Sequence, residues 1–485
     1  MRHWLARSVI SLLAAAALPA SALYVNPRGT GQALLFPYYT VNAGQQTLLS
    51  VANTTGRTKL VEVSLREAYN GRVVLRFDVV LAPHDTWIAT TFEHLDDSGP
   101  VAAIGLRDDS CTVPGTDLWT GQLFGAPYQE LLPFDYTGPN EDGGPITPDR
   151  MREGYFHVVE RAELIADLAT AATQRNCNAF QDLRAIAAGP LVRPPAGGLR
   201  GSFAIVDVAQ GTILGGSATA IEAFSTTPLM SATTDPAAYD ALASVNAGGN
   251  AVLAQAFVGG KLVDMLFPPA RAVDAISAVL MSDALLGDVS REAGLGSNSE
   301  WIVTAPTKRF HADATRARTQ LAPFASAFDV TYPAASCSPF GAEMFDRQGR
   351  TITLSPDPVG SPPVSVLPQF ALCHATDIVS FGPAFGSSGS PVLGARVGTH
   401  VGNPSPATEA GSLVLALGSD GESRSFLPPG STGPGLRGLP VIGFEAVKYV
   451  NGNVTPGVLA NYTLGRALPS TASCTNTVGG VVACP

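Results

Sequence analysis

The sequence predicts a mainly β protein with a few inserted helices and long loops rich in Gly and Pro. Residues 31–92 form short runs in which apolar and polar side chains alternate, the period of strands with one buried face. Turn residues separate these runs at intervals of about 8–12 residues, a spacing typical of Ig-like antiparallel β-sandwich blocks. The composition agrees, because 50 Gly and 38 Pro with only 14% charged residues are typical of many turns and short strands.

The alternation is clearest on both sides of Asn70-Gly71. Apolar side chains occupy every second position in 61–65 and again in 73–81. Asn-Gly between two such runs is the strongest short-range signal for a β-hairpin. We therefore predict a hairpin with one core face, and we expect the interleaved polar residues, such as Glu62 and Arg66, to face solvent.

Changes in composition divide the chain into regions. We expect an N-terminal β-sandwich-like domain over 23–132 and a second β-rich region with inserted helices over 151–470. Residues 133–150 are rich in Pro, Gly and Asp, and we interpret them as a linker or a long surface loop. Apolar spacing and a helix-start pattern predict three helices, within 160–174, at about 270–285, and after Asp235-Pro236.

Residues 1–22 have the features of a secretory signal peptide. Arg2 and Arg7 form a basic region, residues 9–18 form a short apolar run, and residues 20–22 fit the small-x-small cleavage rule. The apolar run is too short to span a bilayer, and no later run reaches about 18 uninterrupted apolar residues. We therefore expect a mature chain that begins at Leu23, has no transmembrane segment and is secreted, periplasmic or on the outer cell surface.

The charge balance argues against a nucleic-acid partner. The chain has 30 basic and 40 acidic residues, and removal of residues 1–22 takes away two Arg and no acid, so the mature net charge is −12. Binding to phosphates requires a basic surface. We therefore expect no nucleic-acid partner. The charge does not select another partner, and the expected one is a protein or cell-envelope component.

Six cysteines are expected to pair in an oxidising compartment. None lies in a C-x-x-C motif. Fifteen connectivities are possible, and loop closure favours near neighbours. The predicted disulfides are therefore Cys111–Cys177, Cys337–Cys373 and Cys474–Cys484, the last of which closes a tail over 471–485.

Five passages carry a resemblance that extends over most of the mature chain. They are GQALLFPYYTV at 31–41, NTT at 53–55, SCTVP at 110–114, EWIVTAPTKRF at 300–310 and GLPVIGFEAVKYVNGN at 438–453. In these passages the chain resembles a family of uncharacterised exported proteins of Gram-negative bacteria. The resemblance implies a bacterial, exported setting and transfers no activity and no functional residue.

One serine-rich segment is a candidate for catalysis. Residues 386–391, Gly-Ser-Ser-Gly-Ser-Pro, are similar to the nucleophile loop of trypsin-like and glutamyl endopeptidases, in which the serine matching Ser388 attacks and backbone N–H groups hold the oxyanion. The family's base lies at the end of a strand of small residues followed by Cys. That context is absent around the candidate bases His84, His157, His311 and His374. We therefore interpret the segment as a Gly/Ser turn after a strand at 377–381.

Acidic residues in predicted loops are candidate calcium ligands, because Ca²⁺ prefers oxygen ligands. The candidates are Asp96, Asp97, Asp108 and Asp109. They match neither the EF-hand spacing nor a calcium-binding repeat. We expect no cofactor, with calcium as the alternative.

These observations favour an exported, non-catalytic β protein of the cell surface or periplasm that acts through binding or assembly. The alternative is a secreted hydrolase that uses Ser388 or a glycosidase-like pair of carboxylates. The hydrolase requires a pocket in which Ser388 and a base, or two carboxylates about 5–10 Å apart, converge.

Overall fold

The computed structural model describes residues 22–96, 99–230, 240–246, 251–315, 319–329, 335–352, 354, 370–381, 389–401, 409–418 and 425–475. Strands account for 49% and helices for 14% of the structure, in several antiparallel sheets. The predicted fold class, mainly β with few helices, is therefore confirmed.

Two large sheets form the first half of the chain. One has the strand order β1-β15-β2-β11-β4-β5-β8, with β12 beside β11, and the other has the order β14-β13-β3-β6-β7-β10-β9. The elements are β1 (Tyr24–Val25), β2 (Ala33–Thr40), β3 (Gln45–Asn53), β4 (Thr58–Glu67), β5 (Val73–Leu81), β6 (Thr86–Asp96), β7 (Gly99–Leu106), β8 (Cys111–Val113), β9 (Gly121–Leu123), β10 (Ala126–Glu130), β11 (Glu153–Leu164), α1 (Asp167–Thr173), α2 (Leu183–Ala188), β12 (Val192–Arg193), β13 (Leu199–Asp207), β14 (Thr212–Ser217) and β15 (Thr219–Glu222).

The apolar faces of these two sheets pack on each other. Phe36 of β2 and Val63 of β4 meet Trp87 of β6 and Ile104 of β7 in one core. We call this unit the first sandwich. The Asn70-Gly71 turn joins β4 to β5, so the predicted hairpin is present.

The polar face of β4 departs from the prediction. Glu62 and Arg66 are 1% and 0% exposed, although the alternation placed them in solvent. A second layer of the chain covers this face, and Arg66 bonds Asp240 of that layer at 2.7 Å. The Arg66 charge is therefore buried together with a carboxylate, as burial of an ion requires.

The predicted boundary at residues 133–150 does not separate two sheets. The β11 strand follows that segment and lies between β2 and β4. Asp135 and Asp142 within the segment are buried. The first sandwich thus takes strands from both sides of 133–150 and extends to Glu222.

The second half adds a hairpin, a helix and a second pair of sheets. The elements are β16 (Val252–Val258), β17 (Lys261–Phe267), α3 (Ala272–Leu280), β18 (Met281–Ser282), β19 (Ala284–Ser290), β20 (Ser297–Thr304), α4 (Lys308–Ala312), β21 (Ser338–Pro339), β22 (Gly341–Asp346), β23 (Thr351–Ile352), β24 (Ala371–Leu372), β25 (Thr376–Ser380), β26 (Gly398–His400), β27 (Ala410–Ala416), β28 (Gly435–Leu436), β29 (Leu439–Pro440), β30 (Ile442–Thr455), β31 (Val458–Ala467), β32 (Ser470–Thr471) and β33 (Cys474–Thr475).

Two five-stranded sheets, β23-β22-β27-β19-β32 and β26-β25-β20-β30-β31, form the second sandwich. Leu285 and Leu413 of the first of these sheets pack against Trp301 and Val379 of the second. The other face of the β20–β30 sheet enters the core of the first sandwich through Ile302. The β16–β17 hairpin and α3 pack on the outer face of the first sandwich.

The predicted helices are shorter than expected. The helix expected at about 270–285 is α3, which ends at Leu280 because the chain enters β18. Within 160–174, β11 continues to Leu164 and α1 follows it. Asp235-Pro236 lies outside the described residues.

Among the helices that the structure describes, none is long and apolar enough to cross a bilayer.

Two predicted disulfides are present in the structure. The Cα atoms of Cys111 and Cys177 are 5.1 Å apart, and those of Cys337 and Cys373 are 3.8 Å apart. Cys474 is also disulfide-bonded, while Cys484 lies outside the described residues.

Leu23, the predicted first mature residue, is fully buried and pairs with Ala254 of β16.

Candidate functional site

Ser388 lies outside the described residues, but the chain that follows it is held by a buried carboxylate. Glu300 on β20 accepts hydrogen bonds from the Ser390 hydroxyl at 2.9 Å and from the N–H groups of Val392 and Leu393 at 2.9 and 3.1 Å. Burial raises the pKa of Glu300 to about 7, although these three bonds act to lower it. Ser390, the serine of the motif that the structure describes, thus holds a turn through its bond to Glu300.

A second buried carboxylate holds the same segment. Glu153 accepts bonds from the Tyr38 hydroxyl at 2.6 Å and from the N–H groups of Arg396 and Val397 at 2.7 and 3.1 Å. Burial also raises the pKa of Glu153. Both carboxylates therefore have structural roles in positioning residues 389–397.

His374 has a carboxylate partner but does not reach Ser390. Its Nδ1 lies 2.9 Å from Asp377. Burial acts to raise the pKa of Asp377, but the neighbouring His374 and Lys308 have the opposite effect, and the pKa is lowered. Ser380, at the end of β25, lies opposite Glu300, whereas His374 precedes the start of β25. Because four residues of strand span about 13 Å, β25 separates His374 from the Ser390 anchor.

A serine–histidine contact that the sequence did not indicate lies between α3 and α4. Ser277 Oγ is 2.9 Å from His311 Nε2, and His311 Nδ1 donates to the Gln320 carbonyl at 2.8 Å. Burial lowers the pKa of His311 to about 4, so the ring is neutral and can accept the Ser277 proton. This is the geometry of a nucleophile and its base. However, Ser277 is 0% exposed, so the contact joins two helices in the core.

The other candidate bases lie elsewhere. His157 is fully buried beside Glu62 and Arg66, and burial lowers its pKa. His84 lies in the turn before β6 with a φ of 59°. Neither contacts the segment at 389–397 in the hydrogen bonds that the structure describes.

The acidic calcium candidates do not converge. Asp96 ends β6 next to the start of β7, and Asp108 follows the far end of β7, so about 25 Å of strand separates them. Asp108 accepts the Ser110 N–H in a turn at 2.8 Å, and Asp97 lies outside the described residues. Within the part of the chain that the structure describes, no three His, Cys, Asp or Glu side chains are placed to hold a metal ion.

An open recess on the second sandwich brings polar and aromatic side chains together. Its volume is about 540 Å³, and it is lined by β19, β27, β30, β31 and the end of β22. A neighbouring recess of about 390 Å³ shares four lining residues with it. The two recesses together are called the groove here, and the residues they share are Asp288, Ser412, Glu445 and Arg466.

One guanidinium in the groove binds two carboxylates. Arg466 Nη2 donates to Asp288 Oδ2 and to Glu445 Oε1, both at 2.8 Å. Burial raises the pKa of Glu445, which also accepts the backbone N–H of Asp288. Asp288 and Arg466 keep 61% and 42% of their side-chain surface exposed, while Glu445 keeps 3%. Asp288 and Arg466 can therefore bind a ligand directly.

The remaining acidic side chains of the groove are also paired. Glu292 forms an ion pair with Arg347, and Asp346 bonds Arg350 at 2.6 Å. Each acid that lines the groove thus has a guanidinium partner, and Asp288 and Glu445 share one, so four acids face three guanidinium groups.

The β30–β31 ladder places two tyrosines on the groove face. Tyr449 lies opposite Tyr462, and Val447 lies opposite Leu464, in register with the Glu445–Arg466 pair. Directly opposed residues of antiparallel strands share a face. Tyr462 and Leu464 are 62% and 48% exposed. Sequence reasoning missed this face, because the residues of 438–453 do not show which strand lies opposite them.

No protein-family model, curated protein or solved structure matches this chain.

Proposed function

We propose that this chain is an exported, non-catalytic β protein of the cell surface or periplasm that binds a ligand in the groove. The supporting observation is a set of exposed side chains: Leu464, Arg466 and Asp288 line the groove, and Tyr462 lies beside Leu464 on the same face of β31. Exposed apolar groups beside a few polar groups in a recess are typical of a ligand site. Strands hold such groups more rigidly than loops do.

The exported setting agrees with two further features. The pattern of residues 1–22 is that of a signal peptide. The pairs Cys111–Cys177 and Cys337–Cys373 are compatible with an oxidising compartment.

The binding function is tested with envelopes isolated from a Gram-negative bacterium. The mature wild-type protein is expected to sediment with them in a saturable manner. Tyr462→Ala should weaken this binding roughly tenfold or more, because an exposed aromatic side chain is often the main contact of a site.

Phe257→Ala is the matched control, because Phe257 is 67% exposed and lies on β16, outside the groove. It should bind as the wild type does. Equal sedimentation of the wild type and Tyr462→Ala would contradict the proposal, as would an absence of sedimentation.

A glycosidase is the second candidate, because the groove contains two close carboxylates. One oxygen of Asp288 and one of Glu445 each lie 2.8 Å from the same Arg466 nitrogen, so the two oxygens are separated by at most twice that distance. A separation of about 5–5.5 Å, as found in retaining glycosidases, lies within this limit. The raised pKa of Glu445 suits a general acid. Against this role, Glu445 is already bonded to Arg466 and to the Asp288 N–H. Release of reducing ends from a polysaccharide by the wild type, lost in Glu445→Gln, would favour the glycosidase.

A further inference from the structure

On the basis of the proposed binding function, we infer that the ligand of the groove is a neutral oligosaccharide chain. Its sugar rings would pack on Tyr449 and Tyr462, and its hydroxyl groups would bond to Asp288 and Arg466. The pairing of charges, the tyrosine pair, the occupied strand edges and the length of the groove support this assignment.

The charges of the groove favour a neutral ligand. An ionic ligand would compete with the existing pairs of Arg466 and Arg347. A hydroxyl group can both donate and accept. A ligand hydroxyl can therefore donate to the exposed Asp288 carboxylate and accept from Arg466 without breaking the Asp288–Arg466 ion pair. Adjacent hydroxyls on a sugar ring match the forked donors of a guanidinium.

The tyrosine pair supplies the apolar part of the site. Tyr449 and Tyr462 lie side by side on the same face, next to Val447 and Leu464. The C–H faces of a sugar ring are apolar while its edges are polar. Tyrosine has the same division between an apolar ring and a polar hydroxyl. A sugar ring can thus pack on this surface while its hydroxyls stay bonded to polar neighbours.

The strand edges in the groove argue against an extended peptide. A peptide usually binds a sheet by adding a strand to a free edge. In β19 the Asp288 N–H bonds Glu445, the Asp288 carbonyl accepts the Trp301 indole N–H at 3.1 Å, and the Ser290 N–H bonds Ser299 at 2.9 Å. The β27 and β30 strands have neighbours on both sides, whereas β31 is the end strand of its sheet. At β19, β27 and β30 the groove is therefore contacted through side chains.

The length of the groove favours a chain over a single small molecule. Its two recesses, of about 540 and 390 Å³, are adjacent and share four lining residues. Asp288 and Arg466 lie at this junction. A chain of several sugar units could occupy both recesses at once.

The test compares envelopes that have been treated in two ways. Mild periodate cleaves the vicinal diols of sugars, and a protease digests the surface proteins. We expect periodate to abolish sedimentation of the wild type with the envelopes and protease to leave it unchanged. Cellohexaose and maltohexaose, which are neutral and carry vicinal diols on every unit, are then used as soluble competitors, with hexalysine as the peptide control. At least one hexasaccharide should compete, and hexalysine should not.

The variants separate this inference from the proposed function. Tyr462→Ala and Asp288→Asn should each bind the competing hexasaccharide roughly tenfold more weakly than Phe257→Ala does. Binding that depends on Tyr462 but is removed by protease and resists periodate would overturn the glycan ligand and leave the binding function in place. Binding that is the same in the wild type and Tyr462→Ala would overturn both.

Discussion

Glu300 shows how one buried carboxylate makes stability depend on pH. Its pKa in the folded protein is about 7, against 4.5 for an unperturbed Glu, because burial disfavours the charged form. The folded state therefore binds this proton more tightly than the unfolded chain does. The resulting stabilisation is fully present below pH 4.5 and is lost as the pH rises through about 7.

We predict that Glu300→Gln removes this pH dependence. Between pH 4.5 and 7 the free energy of unfolding of the wild type should fall relative to that of the variant, by on the order of 3 kcal/mol. Urea unfolding at several pH values measures the difference. His311, whose pKa is lowered to about 4, acts in the opposite direction in both proteins, so only the difference between them is informative.

The control for this prediction is Glu343→Gln, which makes the same change at an exposed position of β22. It should parallel the wild type at every pH. A constant difference between the wild type and Glu300→Gln over this range would contradict the assigned pKa.

The β4–β5 hairpin shows what local sequence can and cannot predict about an element. Asn70-Gly71 indicated the turn because Gly tolerates positive φ, and Gly71 has a φ of 75°. The Gly71 carbonyl also accepts bonds from Arg66 at 2.9 Å and Arg309 at 3.2 Å. Arg309 lies more than two hundred residues further along the chain, so nothing near the turn indicates this contact.

We predict that Gly71→Ala destabilises the protein more than the φ value alone requires. A Cβ at Gly71 would lie 2.6 Å from the Tyr155 hydroxyl. The strain of positive φ costs about 1–2 kcal/mol, and overpacking adds about 1–3 kcal/mol. The free energy of unfolding from urea titration measures the sum.

Gly29→Ala separates these two effects. Gly29 has a φ of 72°, and a Cβ there meets no described atom within 4 Å. The Gly29→Ala variant should therefore lose only the stability that the strain of a positive φ costs. Equal losses of stability in the two variants would show that Tyr155 moves aside.

At the scale of the whole molecule, the sequence could predict strands but not their partners. The alternation in 31–92 identifies faces of strands. The groove combines β19 with β30 and β31, which lie about 160 residues further along the chain. Asp288 and Arg466 meet only through this long-range pairing, and no spacing rule links them. The same reason explains why the first sandwich was predicted to end at residue 132.

Where β31 meets β14, the contact between the two sandwiches depends on a close approach of two glycines. A Cβ on Gly465 of β31 would lie 2.5 Å from the Gly215 carbonyl oxygen of β14. Around them, Thr463 donates to the Ile213 carbonyl at 2.6 Å, and Lys448 bonds Asp207 at 3.0 Å. The β31 and β14 strands can therefore make the Thr463–Ile213 bond only while position 465 has no side chain.

We predict that Gly465→Ala loosens this contact without unfolding either sandwich. The added methyl group meets backbone atoms, which cannot rotate away, so β31 and β14 must separate, at a cost of about 1–3 kcal/mol. Hydrogen exchange should become faster in β14 and β31, while exchange in β4 and β11, at the centre of the first sandwich, stays slow. Gly294→Ala is the control, because a Cβ there meets no described atom within 4 Å. Unchanged exchange in β14 and β31 of Gly465→Ala would show that the close approach does not hold the sandwiches together.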